Sequence, residues 1–225
     1  MKFSVSSGKF LEKLSQVSSA LASNPVIPVL EDFLISSKDG GLSLTASNLE
    51  LTITTEVEAE VSKGGTIAIP GKTLLETLKS LAEQPIHIEV NEENNGITIT
   101  SQSGKYKLVG EKADDFPEVT LPTNEDHITI SADKLLAAID RTAFATSNDE
   151  MRQAMKGICM NIDFKNLTFA ATDAHKLVKY SLLDVSSSAS STIILTKKSM
   201  LALKGILPKD GEVTLHFGRT KAFFS

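Results

Sequence analysis

The pairing in this sequence best suited to acid–base or metal chemistry is Asp173-Ala174-His175, a carboxylate two residues before an imidazole. A structural or catalytic zinc needs three or four protein ligands, and the other histidines do not form such a set. His87 and His216 fall on the polar side of alternating strands, and His127 lies just past a proline-bounded connector. No metal is therefore expected, and Asp173 reads as the organiser of a turn through its own side chain. Cys159 and His175 can be drawn as nucleophile and base, but Cys159 stands between Ile158 and Met160 in a strand, where burial is its usual fate. Gly71-Lys72-Thr73 resembles the end of a phosphate loop, yet the motif requires glycine at position 66, which is Thr66. No G-x-G-x-x-G, H-E-x-x-H or G-x-S-x-G run occurs. The residues predict a protein that is not an enzyme and needs no cofactor.

The elements that position these residues come in two copies. Phe3-Ser4-Val5-Ser6-Ser7-Gly8-Lys9-Phe10-Leu11 lies on Ile128-Thr129-Ile130-Ser131-Ala132-Asp133-Lys134-Leu135-Leu136 at an offset of 125. The same offset lays Leu42 to Asn48 on Leu167 to Asp173, and an offset of 126 lays Thr66-Ile67-Ala68-Ile69 and Lys72 on Thr192-Ile193-Ile194-Leu195 and Lys198. Solenoid units run only about 20–50 residues, so this period is a duplicated globular domain. Apolar residues two apart, as at Phe3/Val5, Ile86/Ile88/Val90, Ile97/Ile99 and Ile158/Met160/Ile162, predict half-buried strands. Asp39-Gly40-Gly41 and Asn94-Asn95-Gly96 read as hairpin turns. Helices are expected over about Ser7–Leu21, with Phe10, Leu14, Val17 and Leu21 on one face, and over about Lys72–Ala82. Their equivalents span about Ala132–Ala143 and a segment beginning near Lys197. Each copy is thus an α+β domain, antiparallel sheet with two helices on one side. The acidic, two-proline stretch Asp114 to Pro122 is the connector, giving domains over 1–120 and 121–225, and Ser186 to Ser191 is a flexible loop.

Two domains of roughly 110 residues can each bury a core. The single Cys159 excludes a disulfide framework and suits a reducing cytosol, so a cytoplasmic location is expected. The chain opens directly on a strand pattern, with no signal peptide, and no apolar run reaches the ~20 residues of a membrane helix. A net charge of −5 argues against a uniformly basic nucleic-acid binder but not against a local basic surface. Such surfaces are present. Lys9, Lys13 and Gln16 share a stripe off the apolar face of the first helix; Lys134 and Arg141 do so on its equivalent, and Lys72 and Lys79 on the second helix. Lys9 matches Lys134 in the repeat and Lys72 matches Lys198. Solubilising charge accounts for any one stripe; matched placement points to a polyanion.

Met1-Lys2-Phe3, Pro25 to Leu30, Leu42 to Glu50, Ala113 to Pro117 and the run Ala171-Thr172-Asp173-Ala174-His175-Lys176-Leu177 resemble the bacterial DNA polymerase III beta subunit family. The resemblance runs the whole chain in order. It implies a DNA-clamp fold and a head-to-tail homodimer of three-domain subunits, closing a ring on duplex DNA with helices inside and sheet outside. By that resemblance the chain covers the first domain and most of the second, ending inside a strand with the third absent. The function implied is a processivity factor of the replicative polymerase. Lys9, Lys13, Lys72, Lys79, Lys134, Arg141 and Lys198, with the loop at Asn24 and the stretch Asn148-Asp149, would face phosphates without reading bases. Asp149 departs from the basic or amide residue often found there. Thr172, His175, Lys176 and Leu177, with Met155 and Arg152, match a pocket that receives short peptide motifs from polymerase subunits, the clamp loader and repair polymerases. Ala174 replaces the commoner glycine, and His175 can alternatively serve only to order its own turn. Tyr106 and Leu108 match the apolar residues of the dimer seam.

Overall fold

The computed structural model describes residues 1–38, 40–118, 126–183, 185–187, 189–218 and 221–225. The chain divides into two compact units, Met1–Val119 and Thr120–Ser225. The first unit runs β1 (Lys2–Ser6), α1 (Ser7–Val17), β2 (Asp32–Lys38), β3 (Gly41–Ser47), β4 (Thr52–Glu58), β5 (Glu60–Lys63), β6 (Thr66–Pro70), α2 (Gly71–Lys79), β7 (Pro85–Val90), β8 (Gly96–Ser101) and β9 (Gly104–Val109). The second runs β10 (His127–Ser131), α3 (Ala132–Thr142), β11 (Gly157–Ile162), β12 (Leu167–Thr172), β13 (Leu177–Leu182), β14 (Ser191–Thr196), α4 (Lys197–Ile206), β15 (Glu212–Phe217) and β16 (Ala222–Phe224).

The duplication is explicit in the pairing. The order β4-β3-β2-β6 in the first unit recurs as β13-β12-β11-β14 in the second, and β1-β7-β8 recurs as β10-β15-β16. All of these pairings are antiparallel. In the first unit β5 adds to β1 and β9 adds to β8. In the second unit the place of β5 is held by a single bridge, Ile128 to Ser187, in the segment expected to be a flexible loop. The hairpin residue Asp39, the connector residues 119–122, and Ser188 of that loop lie outside the described residues.

In each unit both helices pack on the sheet that carries the central hairpins: α1 on β3 and β4, α2 on β2 and β6, α3 on β12 and β13, α4 on β11 and β14. Phe10, Leu14 and Val17 of α1 are fully buried, as are Leu135, Ala138 and Ile139 of α3, so the apolar stripes face the sheet and the lysines face away. Two helices end earlier than their apolar periodicity suggests. α1 stops at Val17 and continues as a 3-10 turn, Ser18–Ala20. Here Ser15 Oγ bonds Leu11 O at 2.7 Å and Ser18 Oγ bonds Ser15 O at 2.7 Å. α2 stops at Lys79, where Ser80 Oγ bonds Thr77 O at 2.7 Å. Serine hydroxyls compete for helix carbonyls and loosen the ladder.

Gly71, which gives the segment its likeness to a phosphate loop, has a packing reason. A Cβ there would lie 2.7 Å from Leu21 Cδ1 and 2.8 Å from Glu31 O, so only glycine lets β6 turn directly into α2.

Candidate nucleic-acid and peptide interface

The matched lysines all fall in the first turn of a helix. Lys9 is the third residue of α1, Lys72 the second of α2, Lys134 the third of α3 and Lys198 the second of α4. All four side chains are exposed. A helix N-terminus carries the positive end of the macrodipole, so a cation there opposes local stability by about 0.3–1 kcal/mol. The first turns of α1, α2 and α4 hold no acidic residue to offset it; only α3 does, through Asp133. Lysine side chains at such an end favour an anion, phosphate above all, although Lys9 N and Ser199 N already donate to the capping hydroxyls of Ser6 and Thr196. Lys9 also forms an exposed ion pair with Glu58 at 3.4 Å, an interaction that counts for little in solvent.

The other cationic candidates differ in setting. Lys13 is half-buried and Lys79 exposed, in the last turn of α2 where the dipole welcomes it. Arg141 lies with its guanidinium carbon 4.8 Å from the centre of the Tyr180 ring on β13, a cation–π contact that orients it. Asn24 is exposed at φ 54°, its backbone N–H donating to Glu31 Oε1 at 3.2 Å. Asp149 accepts from Met151 N at 2.9 Å and pairs with Arg152 at 3.4 Å, so its charge is partly spent within its own loop.

The segment Thr172–Leu177 joins β12 to β13 and is a tightly bonded turn. Asp173 Oδ1 accepts from His175 N at 3.0 Å and Lys176 N at 2.9 Å. Thr172 Oγ1 accepts from Ala174 N at 3.2 Å and donates to Lys176 O at 2.7 Å. The Lys176 ammonium pairs with the Asp173 carboxylate. That side-chain bond, with the backbone donors, holds the Asp173 carboxyl well below the usual range. Asp173 therefore organises the turn as its residue type suggests. His175, Lys176 and Leu177 project outward, Leu177 with 72% of its surface exposed. Met155, half-buried, and exposed Arg152 precede β11, which starts at the sheet end where β12 stops; Cys159 of β11 faces Ala170 of β12.

The first unit contains the same turn. Asn48 Oδ1 accepts from Glu50 N at 3.1 Å and Leu51 N at 2.9 Å, and Ser47 Oγ accepts from Leu49 N at 3.3 Å. Leu49 sits at φ 73° and Ala174 at φ 75°. A leucine held left-handed and 62% exposed was not among the expected sites, although the repeat already aligned Asn48 with Asp173.

Tyr106 and Leu108 lie half-buried on β9, at the edge of the order β5-β1-β7-β8-β9, next to exposed Val109. An edge strand presents unpaired N–H and C=O groups to a further strand. His87 on β7 and His216 on β15 sit on the polar side of their strands, as the alternation indicates. His127, read as lying past the connector, opens β10 directly opposite His216 on β15. Among the described residues no group of three or more His, Cys, Asp and Glu can hold a metal ion. Among them too, no helix is long and apolar enough to cross a membrane.

Residues 1–122 match the family described as DNA polymerase III beta subunit, N-terminal domain, and residues 129–225 match its central domain. The chain belongs to the DNA polymerase III beta subunit family. It is 31% identical to the beta sliding clamp of Synechococcus elongatus, over 94% of this chain and 58% of that protein. It is 30% identical to the beta sliding clamp of Bacillus subtilis, over 95% of this chain and 58% of that one. The chain thus spans little more than half the length of these relatives. Among solved structures, the Bacillus subtilis DNA polymerase sliding clamp superposes at a TM-score of 0.95 with 26% identity, covering all of this chain and 62% of that one. A Pseudomonas aeruginosa sliding clamp bound to griselimycin superposes at 0.90 with 28% identity, covering 97% of this chain and 60% of that one. The fold is that of the family's clamps, built here as two α+β units.

Proposed function

We propose that this chain supplies two domains of a non-catalytic processivity clamp that encircles duplex DNA as a homodimer of complete subunits. The observation that carries the reading is the lysine in the first turn of each of the four α-helices, matched between the units and, in α1, α2 and α4, set against the helix dipole with no acidic residue to offset it. Charge placed at a local cost serves a partner, and phosphate is the partner such helix ends favour. Interactions of this kind neutralise the backbone without reading bases, which suits sliding. Lys9, Lys72, Lys134 and Lys198 are its core, with Lys13, Lys79, Arg141 and Asn24 at its margins.

In the same reading, the bonded turn Thr172–Leu177, with Met155 and Arg152, is one wall of a pocket for short peptide motifs of polymerase subunits, clamp loader and repair polymerases. Its hydrogen bonds keep His175, Lys176 and Leu177 in place before a peptide arrives, which lowers the ordering cost of binding. Tyr106 and Leu108 on the β9 edge supply this chain's share of the dimer seam, by strand addition.

The test is retention of the complete subunit on circular duplex DNA across a salt series. Replacing Lys9, Lys72, Lys134 and Lys198 together by glutamine is expected to lower the slope of log K against log salt by up to ~0.9 for each phosphate left without its lysine, equally for all sequences. A quadruple variant with the parent's slope overturns the reading. Separately, His175→Ala or Lys176→Ala is expected to weaken partner peptides without altering the fold, and equal peptide affinity in variant and parent refutes the pocket wall.

A further inference from the structure

We infer that His127 and His216 form a two-imidazole chelate for a late first-row divalent cation such as Zn²⁺, on the solvent-facing side of the β10-β15-β16 sheet. The register pairs the two residues directly. Phe217 N donates to Asp126 O at 3.2 Å and Ala132 N to Gly211 O at 2.9 Å. Because an antiparallel ladder alternates, these bonds make His127 and His216 a non-hydrogen-bonded pair, the kind whose Cα atoms stand only ~4.5 Å apart and whose side chains lie closest.

The ring centres are 5.5 Å apart, with planes inclined at 34°. A zinc–nitrogen bond of ~2.0–2.1 Å places the ion about 3.2 Å from each ring centre, and a tetrahedral angle then separates the centres by ~5.2 Å. The observed spacing meets that requirement with a shift of a few tenths of an ångström. On the other flank of His216 the Phe223 ring lies with its centre 6.2 Å away, on β16, and walls the imidazole toward His127. His127 is exposed and His216 half-buried, so an ion reaches the pair from solvent. Neutral imidazole suits Zn²⁺, Ni²⁺ and Cu²⁺, whereas Mg²⁺ prefers oxygen.

The competing account is an aromatic ladder, His127–His216–Phe223, that only braces the sheet. Titration of the 225-residue chain with Zn²⁺ at about pH 7.5, where free imidazole is neutral, separates the two. One saturable site is expected, undisturbed by excess Mg²⁺. His127→Gln and His216→Gln are each expected to weaken it by at least about tenfold, while His87→Gln leaves it unchanged. NMR of the parent is expected to show Zn²⁺ moving the ring signals of these two histidines and not those of His87 or His175; this readout holds even if a variant unfolds. A parent that does not bind Zn²⁺, single variants that bind as the parent does, or unmoved ring signals overturn the chelate.

Discussion

Replacing Asp32 by asparagine is expected to stabilise the first unit at neutral and alkaline pH. Asp32 opens β2 opposite Pro70 and is 5% exposed, and its Oδ2 has no hydrogen-bond partner. Burial first, then the negative charges of Glu111 and Glu31, raise its pKa to about 7. An unfolded aspartate titrates near ~3.9, so the folded state holds this proton more tightly than the unfolded chain. The sign follows. Below ~4 both states are protonated and the group costs nothing through ionisation; as pH rises to about 7 the unfolded chain is favoured progressively, and above 7 the cost is complete. At ~1.4 kcal/mol per pH unit, a difference of about three units amounts to about 4 kcal/mol. Asparagine keeps the shape and cannot ionise, so the Asp32→Asn gain should be near zero around pH 4 and a few kcal/mol at pH 8. Asp173, whose carboxyl is held low by Lys176 and backbone donors, works in the opposite sense: its stabilisation is present above ~4 and lost in acid. The decisive quantity is therefore the difference between variant and parent, taken from urea unfolding between pH 4 and 8.5. The chain has no tryptophan and two tyrosines, Tyr106 and Tyr180, one in each unit. A Tyr180→Phe background lets Tyr106 fluorescence follow the first unit alone. A difference that does not grow with pH, or a variant less stable than the parent at pH 8, refutes the argument.

The Ala174→Gly variant should gain about 1 kcal/mol in thermal unfolding of the second unit, because alanine at φ 75° meets a steric cost that glycine does not. A loss would show that the turn does not need a left-handed residue there. Gly71→Ala should destabilise the first unit by roughly 1–3 kcal/mol, since its Cβ would overlap Leu21 and the Glu31 carbonyl, and circular dichroism melts should show it. An unchanged melting temperature would mean that α2 shifts without cost.

Local patterns in the chain determine most of this molecule. Alternation with period two marks the strands, the apolar stripes of Phe10, Leu14 and Val17 and of Leu135 and Ile139 mark helices that must lie on sheet, and the offset of 125 announces two copies of one fold. The Asp173 turn is legible as well, because its bonds run between residues two and three apart. The missing glycine at 66 likewise excludes a phosphate loop without any coordinates. Helix ends are less legible: apolar periodicity carries α1 on to Leu21, whereas serine hydroxyls bonding backbone carbonyls end it at Val17. Tertiary structure alone decided the rest. His127 meets His216 across 89 residues because of the β10–β15 register, and Asp32 is buried near Glu111 because Glu111, beyond the end of β9, bridges β6 at Ala68. These features are set by which distant segments share a sheet and in what register, and a one-residue slip would move every such side chain to the opposite face.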